Sequence, residues 1–132
     1  MTLMLSPQLK LPDEAVTQAF AILGRRGSGK TNTAVVMAEE MLACGFPIVV
    51  LDPIGVWFGL RSSADGKVAG HSIAIFGGEH RDVPLEPTGG KVVAEFVVAE
   101  RIPVILDVSL FGENDMRRFV ADFAQRFYQI NR

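Results

Sequence analysis

The chain has 132 residues, with 13 Lys and Arg against 15 Asp and Glu, for a formal net charge of −2. Hydrophobic residues make up 48% and mean hydropathy is +0.27, a composition that excludes disorder. A domain that gripped nucleic acid by its own surface field would be basic, and this one is not.

Length predicts a single domain spanning residues 1–132, large enough to bury a core. No apolar run reaches the roughly 18 residues needed to cross a bilayer, so no membrane span is expected. Cys44 has no partner for an internal disulfide, and a reducing, cytoplasmic setting follows as the expectation. The two histidines, His71 and His80, stand at no ligand spacing from each other or from Cys44. They are read as surface residues rather than a metal cluster.

The opening "MTLMLSPQLKLP" is interrupted by Pro7, Lys10 and Pro12 and lacks the basic start and small-residue cleavage site of a signal peptide. Residues 19–24, "AFAILG", are apolar throughout and predict a strand. "GRRGSGKT" follows at once, with Gly24, Gly29, Lys30 and Thr31 at the spacing G-x-x-x-x-G-K-[ST]. The next stretch, "KTNTAVVMAEEMLA", sets Ala34, Met37, Ala38, Met41 and Leu42 on one helical stripe, with Asn32, Glu39 and Glu40 away from it. Cys44-Gly45 closes the run where a helix takes a glycine. "PIVVLD" (47–52) then predicts a strand buried on both faces. Strand, glycine loop, helix and strand in this order make a βαβ unit, the context in which the motif carries chemistry.

That chemistry is phosphate binding. Gly24, Gly27 and Gly29 let the backbone curl with its N–H groups inward, and the helix start adds unpaired donors and the positive end of a dipole. Lys30 supplies a cation for the β- and γ-phosphates of ATP, or the β-phosphate of ADP, and the Thr31 hydroxyl is a ligand for Mg²⁺. The site expected to hold nucleotide is therefore Gly24, Arg25, Arg26, Gly27, Ser28, Gly29, Lys30, Thr31 and Asn32, with Lys30 as its catalytic group. Arg25 and Arg26 fill variable positions. Arg26 is long enough for a phosphate or a neighbouring subunit, while the plainer reading has both in solvent.

Residues 53–72 are rich in Gly, Ser and Ala and read as a long surface excursion. Trp57 and Phe58 either anchor a partner there or pack the loop onto its own domain, the plainer reading. "SIAIFGG" (72–78) predicts a strand and turn, and "RDVPLEPTGG" (81–90) a connector. A second Gly-Gly-Lys at 89–91 fails as a phosphate loop, since Leu85 stands where its first glycine belongs and Val92 where the metal ligand belongs. "KVVAEFVVAE" (91–100) predicts a helix with Val92, Val93, Phe96 and Val97 inward. "IPVILDVS" (102–109) predicts a third buried strand. In "GENDMRRFVADFAQRFYQI", Met116, Phe119, Val120, Phe123, Phe127 and Ile130 repeat at the spacing of a core-facing helix. The alternation predicts an α/β sandwich with a mostly parallel sheet.

Taken together, "ILGRRGSGKTNTAVVMAEEML", "PIVVLDPIGVW" and "VILDVSLF" resemble the HerA/FtsK branch of P-loop ATPases, and specifically the N-terminal part of the HerA-like central ATPase domain. The resemblance implies a RecA/FtsK-like three-layer fold, Mg²⁺-ATP as cofactor, and a hexameric motor that moves DNA, often beside a nuclease. It also implies an acidic strand after the long helix, ending Asp-Glu, whose Asp orders Mg²⁺ and whose Glu polarises water. The sequence stops at Asn131-Arg132, where that strand is expected to begin, so the sheet is expected to be incomplete and turnover slow. Asp107, after four apolar residues, is the rival candidate for the Mg²⁺ carboxylate. Val108 and Ser109 follow it rather than Glu, and a strand-end role stands beside the metal role. Asp52 before Pro53 is read chiefly as a turn cap. Two other functions remain open. A small-metabolite kinase would use "LRSSADGK" (60–67) as its lid, and a non-catalytic scaffold would bind nucleotide without turnover.

Overall fold

The computed structural model describes residues 2–18, 20–62 and 70–131. The chain divides into two compact units, Met1–Ile48 and Val49–Arg132.

The first unit opens with a hairpin that the sequence reading did not foresee. Strands β1 (Thr2–Ser6) and β2 (Leu9–Pro12) pair antiparallel, with Leu3 opposite Leu11 and Thr2 opposite Pro12. The Ser6 hydroxyl accepts the N–H groups of Gln8 and Leu9 and so closes the turn. A short 3-10 turn, Asp13–Thr17, follows. Helix α1 (Lys30–Ala43) packs beside β1, and the Glu40 carboxylate accepts the Met4 N–H at 2.7 Å. Leu3, Ala15 and Ala38 are the buried residues of this small core. Helix α1 ends as expected, at Cys44 and a left-handed Gly45.

The strand expected at 19–24 is a correction: residues 20–24 lie in no strand, and Phe20 and Leu23 are exposed. An apolar run becomes a strand only where its backbone finds ladder partners. In its own unit, β1 and β2 pair with each other, and residues 20–24 join neither strand. The first strand of the expected βαβ unit is therefore missing from this unit.

The second unit carries a parallel sheet in the order β3-β5-β4, formed by β3 (Val49–Asp52), β4 (Ala74–Phe76) and β5 (Val104–Asp107). The α/β class with a parallel sheet is thus borne out. Central β5 is buried along its whole length, as a continuous apolar run predicts. The expectation that β3 is buried on both faces fails, because it is an edge strand with Leu51 exposed.

Helices α2 (Gly90–Glu100) and α3 (Glu113–Ile130) pack on each other and close the core. Phe119 and Phe123 of α3 are buried, and Met116, Val120 and Phe127 pack against the same cluster, as the periodicity predicts. The inward face of α2 is corrected in part: Val97 is buried and Val93 packs against the core as expected, but Val92 is 68% exposed and Phe96 40%, while Gly90 and Ala94 are buried. The face is chosen by the residues that let two backbones approach. A Cβ on Gly90 would lie 2.5 Å from the Phe119 carbonyl oxygen, so this second Gly-Gly-Lys serves helix packing.

Between β3 and β4 the excursion holds a 3-10 turn, Trp57–Arg61, with Leu60 buried. Phe58 stacks on His80 at 3.7 Å between ring centroids, so the loop packs onto its own unit as in the plainer reading. The lid proposed for 60–67 falls largely outside the described residues. No described helix is long and apolar enough to cross a membrane.

Candidate functional site

The glycine loop runs into α1 without a side-chain cap. Gly29 is the cap residue, with φ 94° and ψ 21°, and Gly27 also has positive φ, at 79°. No atom lies within 4 Å of a Cβ built on either glycine, so their backbone conformation, not crowding, demands glycine. Ser28 N–H bonds the Arg25 carbonyl at 3.1 Å, which tightens the crown. The first bond of the helix is Thr33 N–H to the Gly29 carbonyl at 3.0 Å. The N–H groups of the preceding first turn therefore point out of the helix start, where an anion is favoured.

Lys30 folds back across the loop and donates from Nζ to the Gly24 carbonyl at 2.7 Å. Residues Gly24 to Asn32 are all exposed, Arg25 and Arg26 among them. Thr31 is exposed in the first turn of α1, and Gly24 to Asn32, the residues expected to bind phosphate, lie at the start of that helix.

The carboxylates lie in the second unit. Asp52 and Asp107 are partners in the β3–β5 register, side by side at the C-terminal edge of the sheet, the edge where open α/β sheets take ligands. Their environments differ. Asp52 is buried, and its carboxylate accepts N–H groups from Ile54 (3.0 Å), Gly55 (2.8 Å) and Trp57 (2.9 Å). It caps the turn after β3, the role read from Asp-Pro. Asp107 is also buried, but among the described residues only its Oδ1 is bonded, to Ser109 N–H at 2.9 Å. It lines a crevice of about 260 Å³ with Ile54, Gly55, Glu79, His80, Ser109 and Leu110. This setting was not legible from the motifs. The signal lay in Gly77-Gly78 directly after β4, both with positive φ. Among the described residues, no three His, Cys, Asp or Glu side chains group as metal ligands.

Further along, Arg61 donates to both oxygens of Asp82 at 2.8 Å, and the Asp82 Oδ2 also accepts Ile75 N–H at 2.9 Å. The Arg61 hydrogen bond, aided by that N–H, holds the Asp82 carboxyl below its ordinary range.

Helices and a three-stranded parallel sheet with two carboxylates at its C-terminal edge define an α/β protein. The chain belongs to the family described as the helicase HerA central domain, which matches residues 8–116. The resemblance read from the motifs is therefore borne out, and the family is one of motor-type ATPase domains. No curated protein and no solved structure matches the chain.

Proposed function

We propose that this chain is the nucleotide-binding part of a HerA-type motor ATPase, a P-loop NTPase domain spanning residues 1–132, with ATP or ADP held by residues 24–32. The observation that carries the reading is the uncapped start of α1 behind left-handed Gly29, with Lys30 Nζ drawn to the Gly24 carbonyl. A phosphate oxygen is a stronger acceptor for Nζ than a neutral carbonyl, so ligand exchange at Lys30 is favourable. Backbone N–H groups and the helix dipole take the remaining anionic oxygens.

The start of α1 also offers a ligand for Mg²⁺: Thr31 is exposed in its first turn and carries a hydroxyl. Bound there, the ion would supply charge neutralisation for the β- and γ-phosphates. Asp52, with its oxygens already committed to three N–H groups, serves structure. Family membership supports the wider reading: a cytoplasmic hexameric ring that couples ATP hydrolysis to DNA translocation, with a nuclease as partner.

Calorimetric titration of the chain with Mg²⁺-ATP tests the core of this reading. Lys30→Ala should weaken binding about 10- to 150-fold, the worth of a charge-assisted contact. Equal affinities for the two proteins would overturn the site. Thr31→Ala should reduce the Mg²⁺ dependence of binding more than nucleotide affinity itself.

A further inference from the structure

The Asp107 crevice has a chemistry of its own, whatever the glycine loop binds. Asp107 is only 4% exposed, yet among the described residues no group donates to its Oδ2. Because no buried polar side-chain atom of the described residues is left without a partner, that oxygen must be open to the crevice it lines. A carboxylate is seldom buried with an oxygen unmet unless something supplies a donor.

Two glycines make the room. A Cβ on Gly78 would fall on the Asp107 carboxylate, 2.4 Å from its Cγ. One on Gly55 would stand 2.8 Å from Ser109 Oγ and 3.4 Å from Asp107 Oδ2. Asp107 Oδ2 and Ser109 Oγ therefore share the space that Gly55 leaves free. Glu79 and His80 complete the polar wall, with His80 stacked on Phe58. Ile54 and Leu110, 73% and 60% exposed, give the crevice an apolar lip.

We propose that this crevice binds an alkylguanidinium group, its planar head on Asp107 Oδ2 and Ser109 Oγ and its alkyl stem along Ile54 and Leu110. A buried open carboxylate needs a cation or a strong donor. Glu79 adds negative charge at the same wall. A bare metal ion is disfavoured because Asp107, Glu79 and His80 do not gather as a ligand set. A guanidinium is less strongly hydrated than an ammonium, offers a fork of donors matched to carboxylate geometry, and carries its stem on apolar surface.

The test is titration of nucleotide-free protein with ethylguanidinium, followed by NMR of the Asp107, Ser109 and Gly55 backbone amides. Butylammonium and Mg²⁺ alone form parallel arms, and N-acetylarginine amide separates a side chain presented by a protein from a free small cation. Saturable shifts at those amides with ethylguanidinium, weakened about 10- to 150-fold in Asp107→Asn, are expected. Ser109→Ala, which leaves the backbone bond to Asp107 in place, should weaken binding less. Tighter binding of N-acetylarginine amide would assign a protein-borne arginine, and tighter binding of ethylguanidinium a free cation. The inference is overturned if ethylguanidinium leaves these amides unmoved, if Ser109→Ala and Asp107→Asn both bind like the parent, or if Mg²⁺ alone shifts them while the guanidinium does not. None of these outcomes touches nucleotide binding at Lys30, which the calorimetric titration tests separately.

Discussion

At the scale of single residues, the informative contrast is between two neighbouring aspartates. Asp52 and Asp107 share a register position, but one carboxylate is met by three amides and the other by one. Replacing Asp52 with Ala would strand those amides in a buried turn. A cost of about 2–4 kcal/mol is expected, read as a lower urea midpoint, because charge-assisted bonds are lost and donors remain unpaired. The Asp107→Asn change keeps an acceptor for Ser109 N–H and should cost little stability. Sequence made Asp52 legible as a cap through the Asp-Pro step. It did not make the open oxygen of Asp107 legible, since that depends on glycines brought in from 55 and 78 by the sheet.

Asp82 supplies the acid-side prediction. Its carboxyl is held below the ordinary 3.8, chiefly by the hydrogen bond from Arg61. A carboxyl depressed in the folded state contributes stability that is fully present above its unfolded value and is lost as pH falls through the folded value. Urea midpoints should therefore fall on acidification below the ordinary carboxylate range, and Asp82→Asn should flatten that limb. An unchanged acid limb in Asp82→Asn would remove Arg61–Asp82 from the account. The pair is well exposed on both sides, so its effect at neutral pH should be modest.

At the scale of elements, α2 carries two opposite lessons about its ends. Arg101 closes the helix in the left-handed region at φ 52°, donating its N–H to the Val97 carbonyl. That position favours glycine, so Arg101→Gly should leave thermal stability unchanged or raise it by up to about 1 kcal/mol. At the other end Gly90→Val should destabilise by about 1–3 kcal/mol or more, because the Phe119 backbone cannot yield easily to a side chain. Calorimetric melting of the two variants checks both signs. Helices α1 and α3 were legible because their apolar stripes have a helical period and their ends carry glycine. The face of α2 was legible only in part, since Val92, Val93, Phe96 and Val97 make it apolar on several sides and the choice falls to small residues. The hairpin of β1 and β2 was missed for another reason. Its strands are short, Pro7 stands in its turn and Pro12 ends it, and short strands with prolines give little periodic signal. The run at 19–24 failed in the opposite direction, because apolar composition alone cannot provide a ladder partner.

At the scale of the whole molecule, charge decides what the chain can hold unaided. Net charge is −2, and of the 13 Lys and Arg four are paired with carboxylates among the described residues. Arg61 pairs with Asp82, Arg117 with Glu113, Arg118 with Asp122 and Arg126 with Glu95. The double arginine of the glycine loop, Arg25-Arg26, is exposed, but two adjacent cations neutralise few phosphates. Affinity for duplex DNA grows with the number of phosphates neutralised and falls with salt in the same proportion. The isolated chain should therefore bind a labelled duplex weakly at physiological salt, with a dissociation constant of about 10⁻⁴ M or weaker and a shallow salt slope. A motor assembled as a ring would instead sum small contacts from several copies, each raised by the effective concentration of its neighbours. Fluorescence anisotropy across a salt series measures both quantities. Arg25→Ala with Arg26→Ala should lower the already small slope by no more than about two. Micromolar binding with a steep slope that survives this double substitution would mean that DNA is held on a basic face other than the glycine loop.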